Sequence, residues 1–302
     1  MQIIVVIRKD VTICQFYSYK RGNIMQQSQY KSNVELKFLA RIQTSKHLGI
    51  LLGAIFLSFI IPIVVSDFVS VFIPGGTVGY VVNYVLVLII QIVASALTVG
   101  VSFIFLKSAC DMPSSIADLF YGFQSNFTKI LKIGAIIVAI ESICMIPSDF
   151  ASMQLTDIMN STSLFNDTNV NDLTTLLMSD ALASSEFLEE YTLIYGAMMK
   201  YSTITLVCTV LSSILTLPFF PAFYMVIDFP DWNVSTILKR SFEVMKGHKL
   251  RLFMLYLSFI PLYLLSMFTC GLALIWVIPY QKMTLTNFYL NLMAVRNKNR
   301  TI

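Results

Sequence analysis

Long apolar runs separated by short polar breaks make up most of the chain. The first run extends from His47 to Ile73, contains Pro62, and is followed by Pro74-Gly75-Gly76, a turn signal. The second extends from Thr77 to Leu106 and the third from Ile130 to Ile146, where Pro147 follows. A fourth covers Ser202 to Ile227 with Pro218 and Pro221 inside it, closed by Asp228, Pro230 and Asp231. The last covers Leu252 to Tyr280 and is broken at Thr269-Cys270-Gly271 and again at Pro279. A helix rises about 1.5 Å per residue, so about 20 apolar residues cross a bilayer core. The pattern therefore predicts spans at about 48–72, 78–106, 130–147, 202–227, 251–269 and 271–291. The last two merge into one if the break at Cys270-Gly271 is not a reversal.

Between the runs, apolar residues recur at helical spacing. Ile116, Leu119, Phe120, Phe123 and Phe127 form one face, with Ser114 or Ser115 as N-cap. Val234, Ile237, Leu238, Phe242 and Met245 form another, opposite Lys239, Arg240, Glu243 and Lys246. A basic amphipathic helix of this kind lies along a bilayer surface. Residues 148–200 read differently. They hold Asp149, Asp157, Asp167, Asp172, Asp180, Glu186, Glu189 and Glu190, with no basic residue before Lys200. This segment reads as an acidic loop with amphipathic helices near 169–182 and 185–199.

Composition puts the chain in a class. Of 302 residues, 56% are hydrophobic and 13% charged. Soluble domains carry about 25% charged residues. With a mean hydropathy of +0.74, the chain is expected to be an all-α polytopic protein of the cell membrane. Five cysteines occur without a CxxC pair, so neither a disulfide framework nor a zinc site is expected. The apolar run Ile3 to Ile7 precedes its charges instead of following them, unlike a signal peptide. Residues 1–32 read as a poorly structured segment, with Met25 a candidate start.

Charge placement orients the spans. Basic residues collect in cytoplasmic loops. Lys31, Lys37, Arg41 and Lys46 put the N-terminus inside; Lys107, Lys129 and Lys132 put the next connection inside; the acidic 148–200 segment falls outside. Lys239, Arg240, Lys246, Lys249 and Arg251 mark the inside again. The basic 294–302 tail returns inside only with six crossings, which the rule therefore favours over five. A weak repeat agrees: surface helix, basic join, apolar hairpin, seen at Leu36–Leu48, Ile116–Leu131 and Leu238–Leu250. The chain thus divides into a first membrane half at 33–147, the loop at 148–200, and a second half at 201–293.

Met245-Lys246-Gly247-His248-Lys249 with Arg251-Leu252-Phe253, then Leu257-Ser258-Phe259-Ile260, Thr269-Cys270-Gly271, Trp276, Pro279-Tyr280, Thr286, Phe288 and Tyr289, occur in an order that resembles a family of uncharacterised bacterial membrane proteins, the domain of unknown function 975. The resemblance covers residues 36–293 and implies a multi-pass fold, with no activity, substrate or catalytic residue attached. Two departures stand out. Pro147 lacks the following Gly of the family's compact turn and leads into the acidic insertion. Pro261-Leu262 stands where the family tends to have Gly-Trp.

Candidate chemistry is sparse. Glu141 lies inside an apolar run, where a charge costs about 2.5–3.5 kcal/mol on insertion scales. It is the candidate functional intramembrane carboxylate. Lys239, Arg240, Lys246, Lys249 and Arg251 are candidates for lipid-headgroup contact or topology, not for nucleic acid. Asp228 reads as a helix end facing Lys239-Arg240, and Gln91 as an interhelical hydrogen-bonding group. No catalytic, cofactor or metal motif is present. The expectation is a non-enzymatic membrane protein without a cofactor, a subunit or modulator of an assembly, with membrane lipids and a membrane protein as partners. The alternatives are a small transporter or channel with a cavity near Glu141 and, last, a lipid enzyme.

Overall fold

The structure, a computed structural model, describes residues 30–73, 77–161 and 185–298. Every regular element among them is helical. The long helices are α1 (Asn33–Ser70), α2 (Thr77–Ala109), α4 (Phe127–Ser161), α5 (Ser185–Thr216) and α10 (Leu274–Lys298). Shorter ones are α3 (Tyr121–Gln124), α6 (Ala222–Asp228), α7 (Val234–Met245), α8 (Lys249–Leu257) and α9 (Ile260–Phe268). Among the described residues, five stretches are long and apolar enough to cross a membrane: Asn33–Ser70, Val78–Ala109, Phe127–Ser161, Leu188–Asp228 and Lys249–Phe268. The chain is an all-α membrane-type protein, as its hydropathy predicts.

Two compact units divide it. The first comprises residues up to Val138 and from Leu217 onward; the second is Ala139–Thr216. In the first unit, α1 starts at a capping box: the Ser32 side chain accepts from the Glu35 amide, and the Glu35 carboxylate accepts from the Ser32 amide. Its first part buries Leu36, Ala40 and Thr44 at four-residue spacing and exposes Val34, Phe38 and Ile42. At His47 the backbone leaves helical geometry (φ −119°, ψ 18°) and the span follows. The surface helix and first span read from sequence are thus one kinked helix.

Small residues bring α2 close to its neighbours. A Cβ added at Gly100 would sit 1.8 Å from the Leu119 carbonyl oxygen, and one at Gly122 would sit 2.2 Å from that of Ala96. Ala96 and Gly100 are four apart, the spacing that lets helix backbones approach in membranes. The predicted 116–127 helix is realised as a 3-10 turn, Ile116–Phe120, followed by α3. Ser115 is its N-cap, with Asp118 completing the box and also pairing with Lys107 at 2.7 Å. Leu119 is buried, whereas Ile116, Phe120 and Phe123 face outward.

The C-terminal elements form a hairpin. A break at Ser258-Phe259 separates α8 from α9, and Pro261 sits in the first turn of α9, where its missing N–H leaves nothing unsatisfied. That residue is one of the departures from the family pattern. Cys270 and Gly271 both take positive φ, 49° and 84°, and reverse the chain. α10 then runs back: Tyr280 packs on Phe259, Gln281 accepts from the Tyr263 hydroxyl, and Asn291 accepts from Arg251. It also packs on α1 and α2. α10 is not among the five apolar stretches, because it carries Gln281, Lys282, Thr284, Thr286, Asn287 and Asn291.

In the second unit the structure departs from the sequence reading. Pro147 does not end the third run; α4 continues through it to Ser161. The helix expected near 185–199 within the acidic segment is present, but it is continuous with the fourth run in α5. A proline removes one backbone hydrogen bond, and the remaining ladder and neighbouring Ser and Thr groups hold a membrane helix through it. Here Ser148, buried, hydrogen-bonds Thr205 of α5 at 2.7 Å. The helix near 169–182 lies outside the described residues.

Candidate functional site

The five basic residues singled out in sequence do not act as one set. They lie on α7, on its C-terminal elbow and on α8. α7 buries Ile237, Ser241, Val244 and Met245; the Ser241 hydroxyl donates to the Pro218 carbonyl. Gly247 takes φ +85° just past the helix end, the left-handed conformation that a C-terminal glycine permits. Phe242, read as part of the apolar face, points outward, with the Lys249 ammonium 4.4 Å from its ring centroid. Lys239, Lys246 and Lys249 are exposed.

Both arginines are turned to the protein instead. Arg240 pairs with Glu243 at 3.0 Å, and Arg296 of α10 reaches the same carboxylate at 3.3 Å. Arg251 donates to the Lys31 carbonyl and to Asn291, between the rings of Tyr30 and Phe288. Partial desolvation raises the Glu243 carboxyl, but the two guanidinium groups outweigh it and hold the pKa below its ordinary value. His248, whose ring is tilted against that of Tyr30, is lowered by burial and by the nearby Arg251 charge.

A buried polar seam, which sequence reasoning missed, joins α10 to the rest of its unit. Asp228, 4% exposed, accepts from the Tyr289 hydroxyl at 2.6 Å. Sequence reading had it facing Lys239-Arg240. Tyr224 stacks on Tyr289 and shares a 3.1 Å hydrogen bond with Thr286. The Asn287 amide donates to Gln43, whose own amide donates to the Ala109 carbonyl. The available signal was the run of Thr, Asn and Tyr from 284 to 291, which sets polar groups around a helix that otherwise reads as a span.

Glu141 sits in the second unit, exposed on α4. Among the described residues it has no hydrogen-bond or ion-pair partner, and Ile143 and Ile146 nearby are exposed too. Gln91 of α2 is likewise exposed and makes no hydrogen bond among the described residues. A cavity of about 340 Å³ opens between α4 and α5, lined in part by Gln154, Thr192, Lys200 and Tyr201. Glu141 is not among its lining residues. No group of three or more His, Cys, Asp and Glu side chains suited to a metal occurs among the described residues. Cys144, Cys208 and Cys270 are free, but Cys110 is disulfide-bonded, against the expectation from sequence.

Comparison with known proteins adds the family and nothing finer. Neither a curated protein nor a solved structure matches the chain. A family model, Protein of unknown function (DUF975), matches residues 25–296, and the chain belongs to that family.

Proposed function

We propose that this protein is a non-enzymatic subunit or modulator of a membrane assembly, and that Glu141 marks the face covered by its partner. The observation that carries this reading is a carboxylate exposed on an apolar helix with no partner among the described residues. Ionisable side chains within spans almost always face a bundle interior, a water-filled cavity or another charge. Glu141 lines no cavity described above, so a second protein is the reading that removes it from lipid.

The chemistry of that partner follows. The apolar windows of α1, α2, α4 and α5 contain no Lys or Arg between their flanking charges, so a second copy brings no counter-charge from them, and Lys282 of α10 is partly buried within its own unit. A span of a different protein, carrying a basic or hydrogen-bond-donating side chain, does. The proposed setting is the cell membrane, with six crossings and both termini on the cytoplasmic side.

The test is purification from the native membrane in mild detergent, followed by mass spectrometry of what is retained. The reading requires a stoichiometric partner that is lost from Glu141→Lys and weakened in Glu141→Gln. A chain recovered alone with one small molecule would instead favour the transporter alternative and end this reading.

A further inference from the structure

The basic residues near the ends of the spans are used unequally. Lys37 donates to the Ser258 carbonyl, Lys129 to that of Pro230, and Lys107 to Asp118. Arg240 and Arg296 share Glu243, and Arg251 is bound to Lys31 and Asn291. Lys46 pairs with Asp111 at 3.6 Å. Against this, Lys239, Lys246 and Lys249, like Arg41 and Lys132 elsewhere, are exposed and, among the described residues, have no carboxylate or carbonyl partner. Setting the orientation of the spans requires only positive charge on one side and leaves this division unexplained.

What sets Lys239, Lys246 and Lys249 apart is that they are grouped with exposed apolar side chains. Positions 239, 242 and 246 fall on one side at a helical period of 3.6. Phe242 is exposed there, and Leu250, 67% exposed, follows Lys249 at the start of α8. Lys249 is also the first residue of a stretch apolar enough to span. The cluster is therefore at the junction of a surface helix and a span, the depth of lipid headgroups. Ammonium groups beside partly exposed aromatic and aliphatic side chains match a headgroup above and acyl chains below.

We propose that Lys239, Lys246 and Lys249, with Phe242 and Leu250, form a binding surface selective for anionic phospholipid headgroups, and that Arg240 and Arg251 hold the fold without taking part. Each exposed lysine near an anionic surface contributes about fivefold in affinity, so the three together give a preference on the order of 100-fold.

The full chain in detergent is titrated with phosphatidylglycerol or phosphatidylcholine, and its thermal midpoint is followed at low and high salt. Phosphatidylglycerol is expected to raise the midpoint at much lower concentration than phosphatidylcholine, and salt to erode the difference. The triple variant Lys239→Gln, Lys246→Gln, Lys249→Gln loses that preference, and the Lys→Arg triple retains it. Arg240→Gln lowers the midpoint itself and leaves the preference intact. The proposal fails if the Gln triple keeps the preference, if Arg240→Gln abolishes it, or if inorganic phosphate at equal concentration reproduces the shift.

Discussion

Tyr289 supplies the hydrogen bond that a buried carboxylate at Asp228 needs. Tyr289→Phe deletes a hydrogen bond to a buried charged group, which is worth about 1.5–3 kcal/mol. Tyr289→Phe should therefore lower the thermal midpoint of the purified protein clearly, and Asp228→Asn with Tyr289 intact should lower it less. Equal midpoints for Tyr289→Phe and the parent would show that the bond contributes nothing. Glu243 and His248 set the response to acid. Both are held below their ordinary pKa in the fold, so the unfolded chain takes up protons more readily. Their contribution is full above the unfolded values and is lost as pH falls through the folded ones. Stability should decline below pH 6.5, the ordinary histidine value. A second decline follows below the carboxylate range, and Glu243→Gln should remove that lower one. A midpoint flat across both windows would contradict this.

Among elements, the approach of α2 to the 116–124 segment depends on glycine. Gly100 has the Leu119 carbonyl where a side chain would go. Gly100→Ala should destabilise by at least about 1–3 kcal/mol, since backbone on both sides has to move. Gly49, in α1 with nothing within 4 Å of an added Cβ, provides the contrast. Gly49→Ala should be neutral or stabilise by up to about 1 kcal/mol through helix propensity. Thermal unfolding of the two variants in one detergent compares them directly, and the reverse ranking would refute the packing argument. The same reasoning explains Pro147. A sequence rule ends a helix at proline, but α4 loses only one hydrogen bond by continuing, and just beyond Pro147 Ser148 hydrogen-bonds Thr205 of α5.

For the molecule as a whole, the proposed six crossings use the reversal at Cys270-Gly271 to return the chain to the side where α1 begins. Single cysteines near Ser45 and Val295, placed in a cysteine-free background and labelled in intact cells with a membrane-impermeant maleimide, should both stay unlabelled. One near Tyr195 should react. Labelling at Val295 alone would mean five crossings.

Hydropathy alone determined that the chain is an all-α protein with helices long and apolar enough to cross a membrane, because an apolar solvent about 30 Å thick demands runs of about 20 apolar residues. The Ser115 cap and the break at Cys270-Gly271 were legible too, since each depends on local backbone preference. Tertiary structure decided the rest. It showed that α4 passes through Pro147, that the polar residues of α10 turn inward to Asp228, Gln43 and Arg251, and that Phe242 faces out. It also divided five alike-looking basic residues into two anchored arginines and three free lysines. None of these is written in a period or a composition, because a side chain's partner is fixed by which helix lies beside it, and that contact joins residues as far apart as Lys31 and Asn291.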